Sequence, residues 1–102
     1  MASDEQLMLA VRDGDLSAFE QIVLRHQKWA WNTAYHFLGD QAKAEDIAQE
    51  AFLKILDAAE RYRPTARFRT YLYTVVTRLC LDYARKKQPL YVDVVPVATE
   101  AS

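Results

Sequence analysis

One segment of the chain combines cations with aromatic rings, as the binding of single-stranded nucleic acid requires. Counted at 100° per residue around a helix, five side chains fall within about 60° of one another: Arg67, Tyr71, Thr74, Arg78 and Arg85. Guanidinium groups attract phosphates, and aromatic rings stack on bases that have left the duplex. The stretch just before continues this chemistry with Arg61, Tyr62 and Arg63. The alternative is a solvated basic helix whose tyrosines are ordinary packing residues.

A second segment has the opposite charge. On a helix, the face turned away from its apolar stripe carries Asp46, Gln49, Glu50, Leu53, Asp57 and Glu60. Carboxylates around an exposed leucine suit a basic partner helix, with hydrophobic contact inside a charged rim. The competing interpretation is a solvated acidic face, since isolated exposed leucines are common.

The net charge of −1 conceals a strong division along the chain. Residues 1–60 hold five basic and eleven acidic side chains, whereas residues 61–88 hold eight basic side chains and one acidic one. This asymmetry predicts two partners, an anion such as nucleic acid for the basic part and a different molecule for the acidic part. Alternatively, the two halves neutralise each other within the fold.

The sequence lacks the spacing of a catalytic or metal site. It has no glycine-rich phosphate loop, no nucleophile elbow and no Glu-x-x-His pair. Its single cysteine, Cys80, excludes an internal disulfide and a multi-cysteine zinc site, and we expect it to be a packing residue. His26 and His36 are about 80° apart around the helix, so they do not converge on one site. Because His26 falls on the apolar face, we expect it to be a core histidine. We therefore predict no enzyme, no metal and no cofactor.

Length and composition predict an all-α domain. The 102 residues are enough for one core, and only two glycines and three prolines leave too few turns for a sandwich or barrel. No apolar run is long enough for a membrane span or resembles a signal peptide, so we expect a cytoplasmic protein without membrane insertion.

Capping residues and apolar periodicity predict the helices. They indicate a short helix after Ser3 that ends at Gly14, a long one from Asp15 or Ser17 to Gly39, one after Asp40, and one from Phe68 to just before Pro89. Pro64 predicts a loop over about residues 60–66. We expect a compact bundle of three main helices plus a short leading one in residues 1–88, with residues 89–102 as a linker or fragment end.

The long second helix has apolar residues on two opposite sides. One side includes Phe19, Ile22 and Phe37, and the other carries Leu24, Trp31, Tyr35 and Leu38. This pattern predicts a helix covered on both sides at the centre of the bundle.

Two runs of this sequence resemble region 2 of the bacterial sigma factors, specifically the small extracytoplasmic-function (ECF) group. The run AEDIAQEAFLK, residues 44–54, resembles the family's helix that docks on the clamp helices of the RNA polymerase β′ subunit. The runs FRTYLY, residues 68–73, and LCLDYARKK, residues 79–87, resemble its promoter-melting and minus-ten-reading helix. With Gly14-Asp15 and Ala18-Phe19 at the usual start of the second helix, the resemblance covers about residues 4–88 in the correct order.

The resemblance implies a domain that binds core RNA polymerase and recognises and melts the promoter minus-ten element. It assigns polymerase binding to Asp46, Gln49, Glu50, Leu53 and Asp57. It assigns contact with the non-template DNA strand, including a pocket for a flipped base, to Arg61, Tyr62, Arg63, Arg67, Arg69, Tyr71, Thr74, Arg78, Arg85, Lys86 and Lys87. It also implies an anti-sigma factor as a partner and a second, helix-turn-helix domain in a parent chain that continues past Ser102.

Three positions depart from the family pattern. Tyr71 stands where the family usually has Trp, Thr74 where Arg is frequent, and Arg78 where Asn is frequent. The preferred base therefore does not transfer from other members. The second hypothesis is a helical protein-interaction domain that binds another regulator without DNA contact, and a third is a helical nuclease or hydrolase.

Overall fold

Four α-helices make up the part of the chain that the computed structural model describes, residues 1–87. They are α1 (Asp4–Arg12), α2 (Leu16–Leu38), α3 (Gln41–Asp57) and α4 (Phe68–Lys87), with one 3₁₀ turn at Ala59–Arg61. The described residues contain no strand, which confirms the all-α prediction of three main helices plus a short leading one. The predicted linker, residues 89–102, lies outside the described residues.

The helix ends follow from the local sequence. Ser3 and Gln6 form a reciprocal capping box, in which the Gln6 amide donates to Ser3 Oγ at 3.1 Å and the Ser3 amide to Gln6 Oε1 at 2.9 Å. Of the two candidate caps for α2, Asp15 takes the role, since its Oδ1 accepts the Ser17 amide at 3.0 Å. Gly39, at φ 68°, ends the same helix in the left-handed conformation that glycine adopts without strain.

A two-residue corner joins α2 to α3. Asp40 follows Gly39 directly and caps α3, accepting the Lys43 amide at 3.0 Å. The indole Nε1 of Trp31 donates to the Gln41 carbonyl at 3.3 Å and ties the two helices together at this corner. The short connection keeps α3 packed along α2.

The core is formed by one apolar stripe from each helix. On α3 the whole predicted stripe is buried: Ala44, Ile47, Ala48, Ala51, Phe52 and Ile55. On α4, Phe68, Leu72, Val76 and Leu79 are buried, while Val75 and Tyr83 are half-buried. Cys80 is buried among them, and this burial raises the pKa of its thiol.

The prediction that α2 is covered on both sides is correct only in part. The other described helices pack against the side that carries Ala18, Ile22, Ala30 and Ala34. On the second side, Trp31 and Leu38 are half-buried against the core, and the Trp31 indole donates to the first residue of α3. Leu24, which is 65% exposed, and Tyr35 lie in solvent on that second side. The described part of α2 therefore has one buried side and a second apolar side that is open at Leu24 and Tyr35.

A polar network joins α1, α2 and α4 beside the core. Asp4 accepts from Arg25 Nη1 at 3.1 Å, and its second carboxylate oxygen lies 3.0 Å from His26 Nε2. The other ring nitrogen of His26 accepts from Arg69 Nε at 3.2 Å. Both ring nitrogens of His26 therefore face charged side chains, Asp4 on one side and Arg69 on the other. His26 is 4% exposed, which confirms it as a core histidine.

This network makes stability depend on pH through Asp4. Burial opposes ionisation of the carboxyl, but hydrogen bonds with His26 and Arg25 outweigh it and lower the pKa below its usual value of 3.8. The unfolded chain, with the higher pKa, takes up a proton first as the pH falls. The stabilisation by ionised Asp4 is therefore complete above about pH 4 and is lost on further acidification.

We predict that Asp4→Asn lowers the free energy of unfolding at pH 7 by about 1 kcal/mol, a modest value because solvent screens this partly exposed pair. The difference from the unmodified protein should shrink below about pH 4. Urea denaturation followed by circular dichroism between pH 2.5 and 7 measures it. Asp13→Asn, at the exposed end of α1, is the control and should differ by less than about 0.5 kcal/mol throughout; a constant difference for Asp4→Asn would contradict the assignment.

Candidate functional site

A cleft of about 500 Å³ lies between the segment from Ala58 to Ala66 and the first two turns of α4. We call it the loop–α4 cleft. Its volume falls in the range of small-molecule binding sites. Five of the residues assigned to DNA from the sequence line it together: Arg61, Tyr62, Arg63, Tyr71 and Thr74.

Two tyrosines form the aromatic wall of the cleft. The ring centroids of Tyr62 and Tyr71 are 6.0 Å apart at an interplanar angle of 44°, and the Phe68 ring meets Tyr71 edge-on at 6.1 Å. Tyr62 is only 6% exposed, whereas Tyr71 is half-buried. The core thus fixes the Tyr62 ring and leaves part of the Tyr71 ring free to contact a ligand.

Both tyrosines carry a neutral phenol. Burial raises the pKa of Tyr62, and the nearby Glu5 carboxylate raises it further. Burial also raises the pKa of Tyr71, against a smaller lowering by the positive charge of Arg61. The cleft therefore offers uncharged rings beside guanidinium groups, and no phenolate repels an anionic ligand at neutral pH.

The local sequence explains why the loop turns here. Tyr62 is extended at φ −63° and ψ 135° after the 3₁₀ turn. Pro64 restricts the residue before it to extended conformations, and the Thr65 amide then donates to the Arg63 carbonyl at 2.8 Å. Arg61, at the end of the turn, and Arg63, just after Tyr62, therefore both line the cleft.

The other assigned cations of α4 lie outside the cleft. Arg67, Arg78, Arg85 and Lys86 are exposed, and helix geometry puts the three arginines on the same side of α4 as Tyr71. Lys87 belongs to the last turn of α4, and its side chain lies outside the described part. The exposed cations extend the positive surface from the cleft along the helix.

Arg69 lies on a different side of α4. Its guanidinium carbon is 4.3 Å from the centre of the Trp29 ring of α2, and its Nε donates to His26. The angular count already places residue 69 about 200° from Arg67. The structure therefore does not bring Arg69 to the cleft with the other assigned residues.

The residues assigned to the polymerase are all exposed on α3, but they border two different grooves. Gln49 and Leu53 line an apolar groove of about 650 Å³ between α2 and α3. Asp46 and Glu50 line a polar groove between α3 and α4. Leu53 is 62% exposed, and Asp57 lies exposed one turn beyond it.

The apolar groove adds residues that the sequence did not assign to this surface. Val23 and Trp31 of α2, with Phe52 of α3, form its walls. The apolar stripes of both helices were visible in the sequence, but which of their residues border an open groove depends on how the helices pack. The α3 surface is thus an apolar groove beside carboxylates.

The acidic and basic halves of the chain form no ion pair with each other in the described structure. Its ion pairs join Arg12 to Asp13, Arg25 and His26 to Asp4, and Lys43 to Asp46. All these residues precede position 61, and among the described residues no later cation pairs with a carboxylate. Lys86 nevertheless lines the same groove as Asp46 and Glu50, so the two charged surfaces meet there without an ion pair.

The described residues contain no group of three or more His, Cys, Asp or Glu side chains that could hold a metal ion. None of the described helices is long and apolar enough to cross a membrane.

Comparison with known proteins gives consistent matches. The Sigma-70 region 2 model matches residues 22–89. The ECF RNA polymerase sigma factor SigW of Bacillus subtilis is 37% identical over 91 residues, which are 88% of this chain and 49% of that protein. The RNA polymerase sigma-H factor of Pseudomonas aeruginosa is 34% identical over 88 residues, 84% of this chain and 46% of that protein. The chain spans about half the length of these relatives.

A solved structure shares the fold. The NMR structure of an engineered region 2 of sigmaE in complex with GTAAAA aligns with a TM-score of 0.76 at 26% identity, covering 85% of this chain and 93% of the other. The aligned part takes in almost all of that domain. With the family model covering more than half of the sequence, the chain belongs to the Sigma-70 region 2 family.

Proposed function

We propose that this domain recognises and melts the minus-ten element of promoters and binds core RNA polymerase. The observation that carries the DNA role is the loop–α4 cleft, which combines two arginines with the partly exposed Tyr71 ring. The similar sigmaE region 2 was solved with GTAAAA, an oligonucleotide. We propose an unpaired promoter strand as the ligand of the cleft described here.

In this proposal an unpaired base of the non-template strand enters the loop–α4 cleft. Tyr71 stacks on the base, while Arg61 and Arg63 contact the neighbouring phosphates. The strand continues past Arg67, Arg78 and Arg85 on the same side of α4. Capture of an extruded base offsets part of the unstacking cost, which shifts the duplex toward the open state without ATP hydrolysis. No catalytic residue is needed.

The polymerase role is assigned to α3. Leu53 and the apolar groove between α2 and α3 offer hydrophobic contact, and the exposed carboxylates of Asp46, Glu50 and Asp57 give the surface of α3 beside it a negative charge. The proposed partner is the clamp-helix part of the β′ subunit, in the cytoplasm. An anti-sigma factor that covers these surfaces is the corresponding inhibitor.

We predict that Tyr71→Ala weakens binding of the preferred hexanucleotide, selected from a randomised single-stranded pool, by about 1 to 3 kcal/mol, the range for loss of one base stack. Fluorescence anisotropy measures the affinity, and circular dichroism checks the fold. Tyr73→Ala is the matched control, because Tyr73 is exposed on the same helix but faces Trp29. An equal loss in both variants, or a pool without any enriched sequence, would contradict the proposed base site.

One lysine variant and one arginine variant separate base recognition from phosphate attraction. Lys86→Ala, at the end of α4, should weaken the binding of all oligonucleotides equally. It should also reduce the slope of log K against log salt by about 0.7. Arg61→Ala, inside the cleft, should in addition reduce the ratio of affinities for preferred and scrambled sequences. Titrations at two salt concentrations test both. An unchanged ratio for Arg61→Ala would remove this residue from base recognition.

We predict that Leu53→Asp lowers capture by a β′ clamp-helix fragment at least tenfold, since it removes the apolar anchor and adds repulsion at the rim. Leu24→Asp is the control, because Leu24 is equally exposed but lies on α2 away from this groove. Both variants should keep the helical circular-dichroism signal. Retained capture by Leu53→Asp, measured in a pull-down and by calorimetry, would place the polymerase interface elsewhere.

A further inference from the structure

We infer that α1 positions the DNA-binding helix, with Glu5 as the positioning residue that caps α4 from a distant part of the chain. This inference rests on the proposed function, because it concerns the cleft that would bind the promoter strand. Its observation is the hydrogen bond from the Phe68 amide to Glu5 Oε2 at 2.7 Å, across 63 positions of sequence.

The start of α4 needs an acceptor from outside. The first amides of a helix have no partner within it, and a cap residue normally supplies a side-chain oxygen. Arg67 precedes α4, and a guanidinium only donates hydrogen bonds. The Glu5 carboxylate takes the role, and its negative charge also lies at the positive end of the helix dipole.

Phe68 transmits this contact to the cleft. Its side chain is 1% exposed, and its ring lies 4.9 Å from the His26 ring and 6.1 Å from the Tyr71 ring. A displacement of the Phe68 backbone therefore moves the ring on which Tyr71 packs. Glu5 acts on DNA binding through this packing, without touching the ligand.

Asp4 gives α1 a second connection to the same turn of α4. It is held by Arg25 and by His26, and His26 accepts from Arg69. Two consecutive acidic residues thus fix α1 to the first turn of α4, one through the backbone of Phe68 and the other through the side chain of Arg69. Glu5 also lies near enough to Tyr62 for its charge to raise the pKa of that phenol, so both walls of the cleft border this anchor.

The test compares two substitutions that should change the affinity for DNA in opposite directions. Loss of one carboxylate from a DNA-binding domain should strengthen binding of an anionic strand through simple electrostatics. We expect this for Glu60→Ala, an exposed residue of the 3₁₀ turn beside the cleft. Glu5→Ala should instead weaken binding of the preferred hexanucleotide by roughly two- to tenfold, because the cap is lost. Glu5→Gln, which keeps an acceptor oxygen, should restore binding to at least the original affinity.

Amide hydrogen exchange by NMR provides the readout without DNA. The Phe68 amide should exchange faster in Glu5→Ala and be unchanged in Glu60→Ala. If Glu5→Ala does not fold, Glu5→Asp serves in its place, since it keeps the charge but is one methylene too short to reach. Binding by the Glu5 variant as tight as by Glu60→Ala, or unchanged exchange at Phe68, overturns the inference. Failure of the unmodified domain to prefer any sequence overturns the proposed function instead, and the Phe68 exchange rate still decides whether Glu5 positions α4.

Discussion

Burial of the Phe68 ring fixes how α4 meets the rest of the bundle, and the loop–α4 cleft depends on that contact. The side chain is among the largest that are fully buried, and a buried phenylalanine of this kind contributes about 3 to 5 kcal/mol when compared with alanine. Its ring contacts His26 on α2 and Tyr71 on α4, while its backbone amide is held by α1. One residue therefore joins three helices at the edge of the cleft.

Around this contact the chain carries two surfaces of opposite charge on neighbouring helices. The basic residues follow the cleft and α4, and the acidic residues follow the outer side of α3; the two meet at the polar groove that Asp46, Glu50 and Lys86 line. Because the described ion pairs are all local to the first 60 residues, no ion pair joins the two surfaces within the described part of the chain. The proposed function, in which a polymerase and a DNA strand are held at the same time, uses both surfaces.

Local signals in the sequence predicted the helix ends, because capping depends on residues a few positions apart. Ser3, Asp15, Gly39 and Asp40 all take the roles expected of them. The second apolar face of α2, which the sequence predicted to be buried, is exposed at Leu24 and Tyr35, since periodicity reports amphipathic character and not the number of helices available to cover it. The Arg69 contact with His26 and the Glu5 contact with Phe68 span 43 and 63 positions, and no local pattern predicts them. The roles assigned to the cleft and to α3 stay predictions.

The buried Cys80 makes local unfolding of α4 measurable by thiol modification. Its thiol is shielded within α4 and kept protonated by its surroundings, so reagents that attack thiolates find no target while the helix stays packed. Modification then proceeds only during excursions that unpack this part of α4. The rate at which a reagent modifies the Cys80 thiol thus measures how often α4, the helix that would carry the promoter strand, unpacks from the bundle. No engineered probe is needed.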